Sequence, residues 1–190
     1  MIAGLVLAAG EGRRFGSAKQ LAPLEGRPLL AHVVAAMTDA PVDEVVVVLG
    51  SRAEEIRAGV DLGAARVVVA EDWAQGQSAS LRAGLAAVPD AEAVVVALGD
   101  QPFLSPKAVE AVLAARGGAD AVRATYGGVP GHPIVLERAL FERIGRLQGD
   151  EGARSLLGDA RTVACDGLGR PDDVDTPDDL AHARNRKNGA

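Results

Sequence analysis

Leu5-Val6-Leu7-Ala8-Ala9-Gly10-Glu11-Gly12-Arg13-Arg14-Phe15-Gly16-Ser17-Ala18-Lys19-Gln20-Leu21 is an apolar run that breaks into a glycine-rich, strongly basic loop. Gly10, Gly12 and Gly16 carry no Cβ, so their backbone can take positive φ and turn successive N–H groups toward one point, a nest for anions. Arg13, Arg14 and Lys19 add positive charge to the same loop. Arginine suits bidentate contact with phosphate oxygens, and lysine is a mobile point charge. Three glycines and three cations directly after a hydrophobic strand point to phosphate binding rather than to a solvated turn.

Two familiar phosphate loops are tested by spacing. A Walker loop needs Lys-Ser or Lys-Thr right after its last glycine, whereas Lys19 stands three residues beyond Gly16 and is followed by Gln20. A dinucleotide fingerprint needs its third glycine to run into a helix and an acidic residue at the end of the next strand. Pro23, Gly26 and Pro28 interrupt such a helix, and the second strand ends in Val48-Leu49-Gly50-Ser51 with no carboxylate. Dinucleotide binding is therefore disfavoured.

The apolar runs around this loop set the fold. Strands are expected at Ile2–Ala8, Glu44–Leu49, Arg66–Ala70 and Ala93–Leu98, each nearly continuous in apolar residues, as strands buried on both faces are. Helices are expected between them at Pro28–Met37, Arg52–Val60 capped by Ser51, Ser78–Val88 and Pro106–Ala115 capped by Ser105. After Ala121 the texture shifts to a strand ending at Tyr126, a Gly127-Gly128 turn and Ile134-Val135-Leu136, read as a β-ribbon over the site. Helical stretches at Ala139–Leu147 and Glu151–Leu157, a strand at Arg161–Cys165 and a last helix from Pro177 follow, with a frayed tail from Arg184 to Ala190. The pattern predicts one α/β domain over residues 1–190: three layers, a mostly parallel Rossmann-like sheet with helices on both faces, and a small β-ribbon in the C-terminal half.

Composition narrows the classes. At 190 residues, 48% hydrophobic and 3% aromatic, the chain is long enough for a substantial aliphatic core. A net charge of −6 argues against a broad nucleic-acid surface. No apolar run approaches membrane-spanning length, and the opening run lacks the basic start of a signal peptide. The single Cys165 offers neither a disulfide nor paired zinc spacing, which fits a reducing cytoplasm.

Two acidic stretches carry further chemistry. Val94-Val95-Val96-Ala97-Leu98 ends in Gly99-Asp100-Gln101-Pro102, which puts a carboxylate at the ligand edge of the sheet. Asp172-Asp173-Val174-Asp175-Thr176-Pro177-Asp178-Asp179 gathers five carboxylates in eight residues. Asp178 and Asp179 suit a helix start, with Thr176 as cap and Pro177 at the first position.

Leu7-Ala8-Ala9-Gly10-x-Gly12-x-Arg14-Phe15-Gly16-x-x-Lys19 resembles the signature loop of nucleotidyltransferases that move a nucleoside monophosphate from an NTP to a phosphorylated acceptor. More narrowly it resembles the molybdenum cofactor cytidylyltransferases and their guanylyltransferase relatives, over essentially the whole chain, which implies that residues 1–103 would mainly hold the nucleotide and 104–183 the acceptor and the second metal ligand. That resemblance implies an Mg2+ (or Mn2+) site at Asp100 and at Asp175, the residue matching the family's second metal-ligand motif. It implies Arg14 and Lys19 as catalytic cations beside those two acids. Leu7, Ala8, Ala9, Gly10, Gly12, Arg13, Arg14, Lys19, Gly99 and Asp100 would contact the nucleotide. Gly76, Ser78 and Ser80, in Asp72-Trp73-Ala74-Gln75-Gly76-Gln77-Ser78-Ala79-Ser80, would flank its base or ribose. Gln101, His132 in Gly-His-Pro, and Arg154 would face the acceptor. Ala8-Ala9 where the guanylyl branch usually has Gly-Gly favours CTP, and molybdopterin is the implied acceptor, with a transient contact to a molybdoenzyme or its chaperone. GTP, a sugar-phosphate acceptor, an NAD(P)H-dependent reductase and a non-catalytic cofactor chaperone stay open as alternatives.

Overall fold

A computed structural model of the chain describes residues 1–149 and 156–187. Its seven-stranded sheet has a reversal of winding at its centre. In chain order the elements begin β1 (Ile2–Leu7), β2 (Pro23–Leu24), β3 (Arg27–Pro28), α1 (Leu29–Thr38), β4 (Glu44–Leu49), α2 (Ala53–Gly59), β5 (Arg66–Val69) and α3 (Gln77–Ala87). They continue with β6 (Ala93–Leu98), α4 (Pro106–Ala114), β7 (Ala121–Tyr126), β8 (Val129–Glu137), α5 (Phe141–Gly145), β9 (Arg161–Ala164) and α6 (Pro177–Lys187).

The sheet order is β5-β4-β1-β6-β8-β7-β9. The chain winds outward from β1 through β4 to β5, then returns to place β6 on the other side of β1. Ligands of open α/β sheets bind in the crevice beyond the carboxyl ends at such a switch point. Leu7 pairs in register with both Val48 and Leu98, so the turns after β1, β4 and β6 leave from one edge.

Alternate residues of each buried strand feed opposite faces, as the two-residue period requires. Val6, Val47 and Val95 pack under Leu30, Val33, Met37, Val109 and Val112 of α1 and α4. Leu5, Val46, Val48, Val94 and Val96 pack under Leu81 and Leu85 of α3 and Ile144 of α5. Each fully buried Val or Leu contributes roughly 1.5–3 kcal/mol by removal from water. A third, small cluster of Ala22, Leu24, Leu29, Val174, Leu180 and Ala183 ties the two-stranded β2-β3 sheet to α6. It anchors the end of the basic loop to the segment that carries Asp175.

Four local expectations need correction. The C-terminal hairpin does not lie over the site: β8 runs antiparallel to β6 and β7, and extends the main sheet. Ser51 does not cap α2, whose N-cap is Arg52 in a left-handed conformation (φ 56°) with no side-chain cap bond. The last helix extends to Lys187, past Arg184, where the polar tail was expected to begin. The helix expected at Ala139–Leu147 shortens to a 3-10 turn at Arg138–Leu140 and α5. Ser105 does cap α4, its hydroxyl accepting from Ala108 N–H at 3.2 Å. Residues 151–155 of the stretch expected at Glu151–Leu157, with Arg154, lie outside the described residues. No helix among the described residues is long and apolar enough to cross a membrane.

Candidate active site

Four carbonyls of the glycine loop are drawn inward. Ala9 accepts from Ser51 N–H at 3.0 Å, and Gly12 accepts from Phe15 and Gly16 N–H at 2.9 and 3.1 Å. The side chain of Gln20, 3% exposed, donates through Nε2 to Ala8 O at 2.9 Å and Gly10 O at 3.0 Å. A trans peptide points its N–H opposite to its carbonyl. The N–H groups of Ala9, Gly10, Glu11 and Arg13 are thereby turned away from these inward bonds, and the same four residues line the larger hollow beside the loop. Gly12 takes φ 68°, and a Cβ there would stand 2.9 Å from Ser17 O, so the turn requires glycine.

The cations and acids meet in front of this turn. Lys19 Nζ lies 2.6 Å from Asp100 Oδ2 and 2.7 Å from Asp175 Oδ1, and Arg14 donates to Asp175 Oδ2 at 2.7 Å. Burial, the largest single influence, pulls the Lys19 pKa down, but attraction and hydrogen bonds from Asp100 and Asp175 together outweigh it and hold the value above normal. Lys19 is thus a fixed cation. Arg13 is more exposed and donates from Nε to Glu11 at 2.6 Å.

Backbone ties hold the two acidic segments together. Val174 N–H donates to Asp100 O at 2.9 Å, and Gln101 Nε2 donates to Asp173 Oδ1 at 2.7 Å. Asp175 is fixed from its other side by Asp179, whose Oδ2 accepts from Asp175 N–H at 3.1 Å and from the Thr176 N–H and hydroxyl at 2.8 Å each. Asp179 N–H donates back to Thr176 Oγ1 at 3.1 Å, completing a capping box at the start of α6. The Asp173 carboxyl is raised above its usual value, first by desolvation and then by Asp100 and Asp175, while the Gln101 amide opposes the shift.

Asp100 Oδ1 is buried and has no hydrogen-bond partner. An orphaned carboxylate oxygen beside a second carboxylate fits a hard divalent cation, which commonly takes one or two protein carboxylates and completes its shell from phosphate and water. Among the described residues no group of three or more His, Cys, Asp and Glu forms a metal cluster.

Two adjoining hollows meet at this point. One, of about 190 Å³, is lined by Leu7, Ala8, Gly10, Gly12, Arg13, Arg14, Lys19, Gln20, Gly99, Asp100 and Asp175. The second, of about 440 Å³, shares Leu7, Gly10, Gly12, Arg13 and Asp100 with it and continues over Ala9, Glu11, Trp73, Gly76, Gln77 and Ser80. Gly76 (φ 106°) makes the turn into α3, which brings Ser80 to the wall. Ser78 is elsewhere: it is fully buried and its hydroxyl accepts from Arg82 NH1 at 3.2 Å. Gln101 is 6% exposed with its amide committed to Asp173, so it braces the acids rather than facing an acceptor. His132 lines a separate small cavity.

Sequence reading overlooked Gln20, Glu11 and Gln77, and gave Asp179 only a generic role. The adjacency of Gln20 to Lys19 was the available signal for the first, and the Thr-x-x-Asp spacing of the capping box for the last.

An anion nest, cations, a paired-acid cation site and a large hollow at a sheet switch point define a nucleotide-handling α/β protein whose chemistry is centred on phosphate. The chain belongs to the MobA-like NTP transferase domain family, whose model matches residues 4–164. It is 36% identical to the molybdenum cofactor guanylyltransferase of Rhodobacter capsulatus, covering 97% of this chain and 96% of that one. It is 33% identical to the nicotine blue oxidoreductase of Paenarthrobacter nicotinovorans, covering 94% of each. The crystal structure of Rv0371c from Mycobacterium tuberculosis superposes with a TM-score of 0.88 at 35% identity over 97% of both chains, and that protein has also been solved in complex with manganese. The chain is a nucleotidyltransferase of this family.

Proposed function

We propose that this protein moves CMP from CTP to the terminal phosphate of molybdopterin and releases pyrophosphate. The observation that carries the reading is the convergence of Asp100, from the end of β6, and Asp175, from the start of α6, on Lys19 beside the glycine turn. Asp100 and Asp175 would hold Mg2+ or Mn2+, which when bound neutralises and aligns phosphate oxygens. The N–H groups turned out by the loop and the Arg13 and Arg14 guanidinia bind the triphosphate. Lys19 and Arg14 counter the charge that grows as the acceptor oxygen attacks the α-phosphorus and pyrophosphate departs. A phosphate nucleophile is already ionised at neutral pH, so no side chain need act as general base.

The choice of CTP rests on Ala8-Ala9, which stand where the resembling guanylyltransferases usually carry Gly-Gly. Ala9 Cβ packs in the space left by the missing side chain of Gly50, where a Cβ would stand 2.8 Å away, and Trp73 closes the same corner. The test is pyrophosphate release from CTP, GTP, ATP and UTP with molybdopterin and Mg2+ or Mn2+. The fastest release is expected with CTP. Preference for GTP overturns the base assignment, and turnover only with a sugar phosphate overturns the acceptor.

The similarity to an oxidoreductase supports a second reading, in which the glycine turn holds the pyrophosphate of NAD(P)H. A purely binding chaperone is a third. Cofactor-dependent loss of NAD(P)H absorbance without pyrophosphate release from any NTP would favour the former. Tight NTP binding without turnover would favour the latter.

A further inference from the structure

The segment that delivers Asp175 is zipped to the one that delivers Asp100. Val174 N–H donates to Asp100 O at 2.9 Å, and the amide of Gln101, 6% exposed, donates to Asp173 Oδ1 at 2.7 Å. Gln101 thus holds a third carboxylate beside the pair. Two residues of chain cannot part the Cα atoms of Asp173 and Asp175 by more than about 7 Å. Asp100 and Asp175 both repel the Asp173 charge and Lys19 attracts it, so the four groups share one local field. Asp173 is not a third ligand, because among the described residues no group of three or more His, Cys, Asp and Glu could hold a metal ion.

A carboxylate is an unexpected choice for this latch. An amide oxygen would accept from Gln101 equally well, and Asn would escape the repulsion from Asp100 and Asp175. Stability alone therefore favours Asn here, and a residue that works against stability beside a reaction centre points to function. We propose that Asp173 is a positioning residue for the cation site: latched to Gln101, its charge strengthens the pull of Asp100 and Asp175 on a divalent ion without touching it. The inference rests on the nucleotidyl-transfer reading, in which those two acids hold the ion. A unit charge about 7 Å from a divalent ion in water changes its affinity about five- to tenfold. The latch matters because Asp173 also lines a hollow of about 260 Å³ with Asp172, Asp179 and His182. A side chain freed from Gln101 would swing that way, away from its like-charged neighbours.

The test is Mn2+ binding by the full-length chain, followed by EPR of the free ion, with Mn2+ alone and again with an NTP but no acceptor. Asp173→Asn keeps the latch and removes only the charge. It is expected to weaken Mn2+ binding about five- to tenfold and to raise KM for the metal to a similar degree, with kcat at saturating metal within about twofold of wild type. Its melting midpoint is expected to rise by about 1–3 °C. A scaffolding residue cannot move affinity and stability in opposite directions. Asp173→Glu, which restores the charge, is expected to recover most of the affinity, and Gln101→Met to weaken Mn2+ binding with the charge still present. Unchanged Mn2+ binding by Asp173→Asn overturns the inference, as does a melting midpoint that falls together with the affinity. Loss of binding in Asp100→Asn with none in Asp173→Asn removes this inference alone. Binding that ignores Asp100 and Asp175, or no binding by wild type in either arm, removes the cation site and the transfer reading with it.

Discussion

Asp100 and Asp175 accept from one and the same ammonium group, Lys19 Nζ, at 2.6 and 2.7 Å, although they lie far apart in the chain. Two carboxylates that close repel each other unless a cation stands between them. The pair is therefore built to hold positive charge, and Asp100 Oδ1 is left without a hydrogen-bond partner.

Replacing either acid by its amide should separate chemistry from folding. Asp100→Asn and Asp175→Asn are expected to lower kcat/KM roughly 100- to 1,000-fold. The stability change should stay within about 1 kcal/mol, since an amide oxygen still accepts from Lys19. Steady-state pyrophosphate release and a thermal melt check this, and a collapsed melt would assign the acid a scaffolding role.

Lys19→Met should act on both stability and turnover. Two partly buried carboxylates would face each other, at a cost of about 1–3 kcal/mol. The raised pKa means that the folded chain holds the Lys19 proton more tightly than the unfolded chain. Its contribution is complete below the unfolded value near 10.5 and disappears as pH climbs through the higher folded value. Denaturant melts of wild type should weaken across that alkaline window, and those of Lys19→Met should lack this component.

Gln20→Leu keeps the bulk and removes two hydrogen bonds from the carbonyls of Ala8 and Gly10. Each lost bond is worth about 1 kcal/mol. With the turn loosened, KM for the NTP is expected to rise about tenfold, the equivalent of about 1.4 kcal/mol in binding. An unchanged KM would show that the turn keeps its shape without the amide.

Asp179→Ala addresses the arm that carries Asp175. The Thr176 hydroxyl first, and then the Asp175 and Thr176 N–H groups, hold the Asp179 carboxyl below its usual value of 3.8. Stability from this group is present above that value and lost as pH falls through the lower folded one. Melts at neutral pH should therefore separate wild type from Asp179→Ala, and the two should converge in strong acid. Turnover should fall as well, because Asp175 loses its backbone anchor.

The central strands were legible because a strand buried on both faces must be apolar throughout. Glu44–Leu49 and Ala93–Leu98 match the expected bounds residue for residue. Where two readings of one composition compete, tertiary context decided. Gly127-Gly128 identified a hairpin, but nothing in its residues states that β8 would dock on β6. Ser78 and Ser80 differ only in helix phase, which turns one toward Arg82 and the other toward the hollow. Lys19, Arg14 and Asp100 stood out because charge near glycine or at a strand end is conspicuous, whereas Asp175 was singled out from its acidic neighbours only by the family resemblance. Gln20 and Asp179 act through hydrogen bonds to backbone, and such work leaves little mark on composition.

The clip from Val174 N–H to Asp100 O closes a loop of more than seventy residues. During synthesis, the glycine turn and Asp100 leave the ribosome well before their acidic counterpart does. On the proposed transfer reading, a half-made polypeptide therefore has a place for phosphate but lacks Asp175, and it would not spend nucleotide until the last helix has come home.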